Sequence, residues 1–253
     1  MTIRVECSDG VAVAVIDRPE RKNAFDREHY DALGGALDRL ADDGETRAVI
    51  VTGAGGAFSA GQDLKEMAEL AASVAHRSVD PASTTKSESN NEASSGFTVL
   101  LDALERFPLP LVAAVDGVAV GIGMTLLPWC DIVVVGRATR MRVPFTELGV
   151  PPEAGSSLLF AERMGWQRAA ELLLTSRWID ADEAVRYGLA LESCDDPLAR
   201  AREIAARIAS LSPYSTRAVK TLMAAARRDA ARTARAREES MFAELFRGGG
   251  YGQ

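Results

Sequence analysis

Four short apolar runs constrain this chain most: Val11–Ile16, Arg47–Thr52, Leu111–Val115 and Asp131–Val135. Each is rich in valine, isoleucine or alanine and too short for a helix, so each reads as a buried strand. Gly10 and Pro19 bound the first, and the glycine cluster Gly53-Ala-Gly-Gly56 closes the second. Helical spacing appears at Asp26–Leu40, with Tyr30, Leu33, Leu37 and Leu40 on one face and Asp26 as N-cap. It then fills Trp166–Thr175, Asp180–Tyr187, Pro197–Leu211 and Ser215–Phe246. Strands come mostly early and helices dominate late. That order predicts an α/β core over residues 1–196 with a helical region appended over 197–253. No fixed-period repeat is present.

Composition narrows the function classes. Of 253 residues, 47% are apolar, enough to exclude a natively disordered chain. A domain of this length buries roughly three quarters of its unfolded surface and needs no disulfide or metal staple. The net charge of −7 argues against a nucleic-acid partner. The charge is uneven, however. Between Arg200 and Arg237 there are ten Lys/Arg against Glu203 and Asp229, a local +8 that leaves −15 elsewhere. Such a stretch is either a solvated helical face or a patch that meets an anionic ligand or an acidic neighbouring subunit. Cys7, Cys130 and Cys194 form no CxxC and read as free thiols in a reducing cytoplasm. His29 and His76 lack the spacing of a zinc site, so no metal is expected. The N-terminus carries charge where a leader needs its apolar core, and no run is long enough to span a membrane. A cytoplasmic location follows as the expectation.

Residues 71–96 stand apart. The stretch from Ser78 to Gly96 is polar, rich in Ser and Asn, and without period. It reads either as a disordered excursion or as a lid that orders over a ligand.

Three places carry the features of a site. Phe58-Ser-Ala-Gly-Gln-Asp-Leu64 and Asp116-Gly-Val-Ala-Val-Gly-Ile-Gly-Met-Thr125 each read as strand, glycine turn and helix start. Backbone N–H groups are unpaired at a helix start, so two such turns converging would make a two-donor oxyanion site. The same glycines also suit tight turns and close packing. They match neither a dinucleotide fingerprint nor a P-loop. The third place is Pro144–Ser157, where Pro151 and Pro152 precede Glu153 and Gly155 follows it. A carboxylate in that stiff loop, among Leu148, Val150 and Leu158, is either a desolvated proton shuttle or a helix N-terminal acid.

Taken together, these segments resemble the enoyl-CoA hydratase/isomerase (crotonase) superfamily, from about Ile3 to Phe246. The resemblance rests on Asp17-Arg-Pro-Glu-Arg-Lys-Asn-Ala24, Ala57–Met67, Pro110–Gly117, Cys130-Asp131 and Thr175–Leu189, in that order along the chain. It implies a crotonase-like spiral of ββα units with a C-terminal helical trimerisation region, assembled as a homotrimer or a dimer of trimers. It also implies an acyl-CoA thioester as substrate, with no cofactor beyond the coenzyme A that the substrate carries. By position, the oxyanion donors would be the N–H groups of Gln62 and Ile122, the latter where many members have glycine. The coenzyme A slot would comprise Lys22, Ala24, Ala60, Asp63 and Leu64, with Arg21 a further candidate for a phosphate. Met67, Thr125 and Phe145 would line the acyl pocket.

Departures from the family pattern narrow the expectation. The two glutamates that hydratases of this family use align with Thr125 and Phe145, neither of which can activate water. Glu153 instead matches the single catalytic glutamate of the Δ3,Δ2-enoyl-CoA isomerases. An isomerase is therefore expected. A hydratase, another enolate-forming enzyme, or a non-catalytic acyl-CoA-binding subunit stand as alternatives. Glu147 is read as a loop or subunit-contact residue. Many relatives continue with a further helix and a basic tail over the pantetheine tunnel; here that cover is left open as an expectation, with the Arg-rich helix a candidate to supply charge against the coenzyme A phosphates.

Overall fold

The computed structural model describes residues 2–63, 66 and 95–247. Its main sheet has the order β1-β2-β3-β4-β6-β9. These strands are β1 (Ile3–Ser8), β2 (Val11–Ile16), β3 (Ala48–Gly53), β4 (Leu111–Val115), β6 (Ile132–Gly136) and β9 (Glu192–Cys194). β1 and β2 are antiparallel, and every later neighbour is parallel. A second, smaller sheet holds β5 (Val118–Val120), β7 (Arg140–Arg142) and β8 (Ile179–Asp180).

The apolar runs are continuous because both faces of the main sheet are covered. Side chains alternate along each strand. Ala12, Ala14, Ile16, Val49, Val51, Leu111, Ala113 and Val115 face the larger core cluster. That cluster includes Tyr30, Leu33 and Leu37 of α1 (Arg27–Asp42) and Leu100, Leu101 and Leu104 of α2 (Ser95–Arg106). Val13, Val15, Ala48, Ile50, Val112 and Ala114 face the other way, onto Ala201 and Ala205 of α7 (Pro197–Ala209). The remaining helices are α3 (Ile122–Thr125), α4 (Ser156–Met164), α5 (Trp166–Thr175), α6 (Ala181–Arg186), α8 (Pro213–Ala225) and α9 (Arg228–Arg247).

Local chemistry sets the helix starts. Asp26 caps α1 by accepting the His29 N–H at 3.0 Å. Asp180 and Glu183 form a reciprocal capping box on α6, and Asp196 caps α7 through Ala199.

Three expectations are corrected. Ser215–Phe246 is two helices, not one. The chain leaves α8 after Ala225, the Arg227 N–H turns back to Ala224 O, and α9 starts at Arg228. No Pro or Gly lies there, so periodicity alone could not see the break. Ser95 and Gly96, placed at the end of the structureless segment, are the first residues of α2; residues 71–94 lie outside the described residues. The third correction is β1, a strand not anticipated from the sequence: its residues are mostly exposed, so it shows no burial pattern.

The basic stretch meets acids of the same chain. Lys220 of α8 is buried and donates to both carboxylate oxygens of Asp131, at 2.7 and 2.8 Å. Asp131 also accepts the Leu111 N–H. Arg232 and Arg235 of α9 pair with Glu105 of α2, and Arg235 also pairs with Asp102. Arg200 pairs with Glu192 and Glu203. Ion pairs thus tie α8 and α9 to the core, while α7 packs on the sheet through Ala201 and Ala205. Among the described residues no helix is long and apolar enough to cross a membrane.

Removing one partner of a buried pair leaves the other uncompensated. Lys220→Met is expected to destabilise the fold by about 3 kcal/mol in urea denaturation. An unchanged midpoint would mean that Asp131 is adequately served by the Leu111 N–H alone.

Candidate active site

The two glycine turns lie backbone against backbone. The N–H groups of Phe58 and Ser59 both donate to Val118 O, and Val120 N–H returns a bond to Ser59 O at 2.9 Å. Gly61 has φ +95°, and a Cβ there would sit 2.8 Å from Val120 O. A Cβ on Gly123 would sit 2.7 Å from Ser59 O. Only glycine fits at these two contacts.

Hydrogen bonding leaves two donors open at this seam. Phe25 N–H donates to Gly61 O, and Asp63 N–H to Phe25 O. Gly121 N–H donates to Arg142 O, while Met124 and Thr125 N–H both turn back to Gly121 O. Among the described residues, the N–H groups of Gln62 and Ile122 take no backbone acceptor of this kind. Ile122 is the first residue of α3, where a free N–H is the rule.

Glu153 stands in the loop before α4. The N-cap of α4 is Gly155, so Glu153 lies two residues before the cap, outside the helix rather than in its first turn. Ala154 (φ 60°) and Gly155 (φ 74°) are both left-handed, an unusual pair for a chain containing alanine. Three bonds hold this bend. Trp129 Nε1 donates to Ala154 O at 2.9 Å, and the Gly155 and Ser157 N–H groups donate to the two oxygens of Glu238, at 2.6 and 2.9 Å. Glu153 keeps some solvent-facing surface, yet burial of its carboxyl pushes its pKa up to about 8, with the charge of Glu238 adding to the shift. Thr125 and Phe145 are both buried and carry no carboxylate.

The sequence profile of the enoyl-CoA hydratase/isomerase family matches residues 6–249. The chain belongs to that family. A "Probable enoyl-CoA hydratase" from Rhodobacter capsulatus is 35% identical over 195 residues, which cover 77% of this chain and 69% of the relative. "Enoyl-CoA delta isomerase 2" from Rattus norvegicus is 34% identical over 190 residues, covering 75% of this chain and 45% of that protein. Among solved structures, an enoyl-CoA hydratase/isomerase from Pseudoalteromonas atlantica superposes with a TM-score of 0.84 at 34% identity, over 96% of this chain and 91% of that one. The ββα core and the C-terminal helices are accordingly those of the crotonase fold.

In this member of the family, the segments that hold Lys22, Ala24, Ala60 and Asp63 lie side by side. Ala60 N–H donates to Lys22 O at 2.8 Å, and Ala24 is buried beside them. Asp63 is held by Arg18, which also pairs with Asp26. Leu64 and Met67 lie outside the described residues. Glu147 is exposed and paired with Arg142. No cluster suited to a metal ion occurs among the described residues.

Three site residues escaped sequence reasoning. Tyr30 is buried and donates its hydroxyl to Gln62 Oε1 at 2.5 Å. Its pKa lies well above the usual phenol value, through burial first and then the charges of Glu153, Glu66 and Asp26. Glu66 accepts from Gln62 Nε2 and from the Arg27 N–H. Glu238 holds the Glu153 bend from 83 residues away. Tyr30 was legible only as a core position of α1, and no spacing links Glu238 to Glu153.

The raised pKa of Glu153 has a consequence for stability. Below about 4.5 the acid is protonated folded and unfolded, and its contribution is fully present. As pH rises towards about 8 the unfolded chain ionises first, and that contribution is lost. Glu153→Gln cannot ionise. Its stability relative to wild type is expected to improve by about 2–4 kcal/mol between pH 5 and pH 8.5, read from urea midpoints. A difference that stays constant with pH would show that the carboxyl titrates normally.

Proposed function

We propose that the protein is an enoyl-CoA isomerase that moves the double bond of a 3-enoyl-CoA to give the 2-enoyl-CoA. The observation that carries this reading is Glu153, a buried carboxyl whose pKa is pushed up to about 8, while Thr125 and Phe145, where the family's hydratases carry their two glutamates, are buried and supply no acid. Glu153 removes a proton from C2. The dienolate oxygen takes hydrogen bonds from the N–H groups of Gln62 and Ile122. Glu153 then returns the proton to C4. One shuttling group suffices because no water is added. Loss of one oxyanion donor in other enzymes costs roughly 3–4 kcal/mol, so the backbone seam matters as much as the base. Lys22, Ala24, Ala60, Asp63 and Leu64 would receive the coenzyme A moiety, which belongs to the substrate. Met67, Thr125 and Phe145 would bound the acyl chain.

Two other carboxylates near the loops are already engaged, which supports a one-base mechanism. Glu66 is bonded by Gln62 and the Arg27 N–H, and Glu147 by Arg142. The rat relative named as a delta isomerase supports the same reading. The Rhodobacter relative's name favours hydration instead, so hydratase activity is the second reading. A homotrimer or dimer of trimers is proposed with it, supported by the exposed apolar residues Tyr214, Val219, Leu222 and Met223 on α8. A cytoplasmic location is supported by the free thiols of Cys7, Cys130 and Cys194.

Each substrate is offered separately to wild type and to Glu153→Gln. Wild type is expected to convert a 3-enoyl-CoA to the conjugated thioester. Glu153→Gln should lose about 10³-fold in kcat while still binding coenzyme A. Hydration of a 2-enoyl-CoA that survives the substitution would overturn the isomerase reading. Because the base must be ionised in the free enzyme, kcat/KM should rise with pH through about 8. A profile already flat from pH 6 upward would mean a base of ordinary acidity.

A further inference from the structure

We propose that Glu238, on the C-terminal helix α9, is a positioning residue for Glu153: it clamps the bend that carries the base and holds a second acidic group against it. The inference rests on the reading of Glu153 as the base.

The geometry is specific. Glu238 is buried, and each of its oxygens accepts one backbone N–H, from Gly155 and from Ser157. These N–H groups open α4, which has no side-chain cap of its own. Open N–H groups at a helix start need a partner, and here it comes from a helix 81–83 residues further along the chain. The clamp falls on Gly155 itself and on Ser157, and the left-handed Ala154-Gly155 pair persists only where the surroundings over-determine it. Trp129 fixes the Ala154 carbonyl on the other side. Both polar groups of the Ala154–Gly155 peptide, the first after Ala154, are therefore held, and with them the bend that follows Glu153.

Charge gives the arrangement a second effect. Other charged groups around Glu238 are committed elsewhere. Arg235, one turn earlier on α9, is bound by Asp102 and Glu105 of α2. Arg163 of α4 donates to Pro128 O and Cys130 O. Glu239, next to Glu238, is exposed and acidic, and Glu162 of α4 is acidic too. Tyr30 of α1, whose phenol is held well above its ordinary pKa by burial and by the charges of Glu153, Glu66 and Asp26, gives its hydroxyl to Gln62. Among the described residues no cation bonds Glu238; burial weakens its own acidity, the Ser157 and Gly155 hydrogen bonds favour its ionised form, and in that form its charge bears on Glu153.

The test compares Glu238→Gln with wild type, using exposed Glu239→Gln as the control. The Glu153 carboxyl is followed by NMR in protein carrying ¹³C at the glutamate side-chain carboxyl, assigned with Glu153→Gln. This readout needs no activity, so it stands even if the isomerase reading fails. Removing the neighbouring charge is expected to lower the Glu153 titration midpoint by roughly 0.5–1 unit. Where isomerase activity is present, the acid limb of kcat/KM should move with it. A residue that merely stabilises the fold would lower activity at every pH and leave the midpoint in place, and that result would overturn the proposal. Should Glu238→Gln fail to fold, Glu238→Asp keeps the charge and shortens the reach. It should leave the Glu153 midpoint high and speed amide exchange at Gly155 and Ser157. Unchanged exchange at both amides would equally overturn it.

Discussion

The close approach of two backbone turns is the constraint on which the rest of this structure depends. Residues 58–63 and 118–123 touch without intervening side chains, because Gly61 and Gly123 leave room for the facing carbonyls of Val120 and Ser59. Two strand ends from different parts of the chain are thereby stitched together, as the Ser59–Ala119 bridge also records. The N–H groups of Gln62 and Ile122 come to the same seam only because the parallel sheet delivers β3 and β4 side by side. The covering of both sheet faces by α1, α2 and α7 serves to hold that register.

The C-terminal helices extend the same logic by electrostatics. α8 reaches the core through Lys220 and Asp131, and α9 through Arg235 and Glu238. The break between α8 and α9 gives each helix its own direction and so its own anchor. Glu238 brings a buried acid to the loop of another buried acid. This arrangement opposes stability, because burial raises both carboxyls and the charge of Glu238 resists ionisation of Glu153. In return, Glu153 has the acidity of a group poised to accept and release a proton near neutrality.

Much of this was legible in the sequence, and for physical reasons. The buried strands announce themselves because parallel strands covered on both faces need unbroken apolar runs, as in Ala48–Val51. Capped helices such as α1, α6 and α7 were read to within a few residues. Glycines marked the two turns that meet, because close contact excludes a Cβ. What escaped was long-range or weakly patterned. β1 is exposed and carries no burial signal, and the 225–228 break has no breaker residue. Glu238, just past the basic stretch, carried no signal in the sequence, since only the folded chain brings it to Gly155 and Ser157. Tyr30 satisfied the core spacing of α1, which concealed its bond to Gln62.

The central claim is that the seam between the two turns receives the thioester oxygen. The most direct measurement is a crystal structure with a bound 3-ketoacyl-CoA, a thioester that ionises to a stable enolate. The account predicts the thioester oxygen within about 2.7–3.1 Å of both the Gln62 and the Ile122 nitrogens, with Glu153 beside C2. A thioester oxygen bonded elsewhere, with those two N–H groups facing solvent, would contradict it.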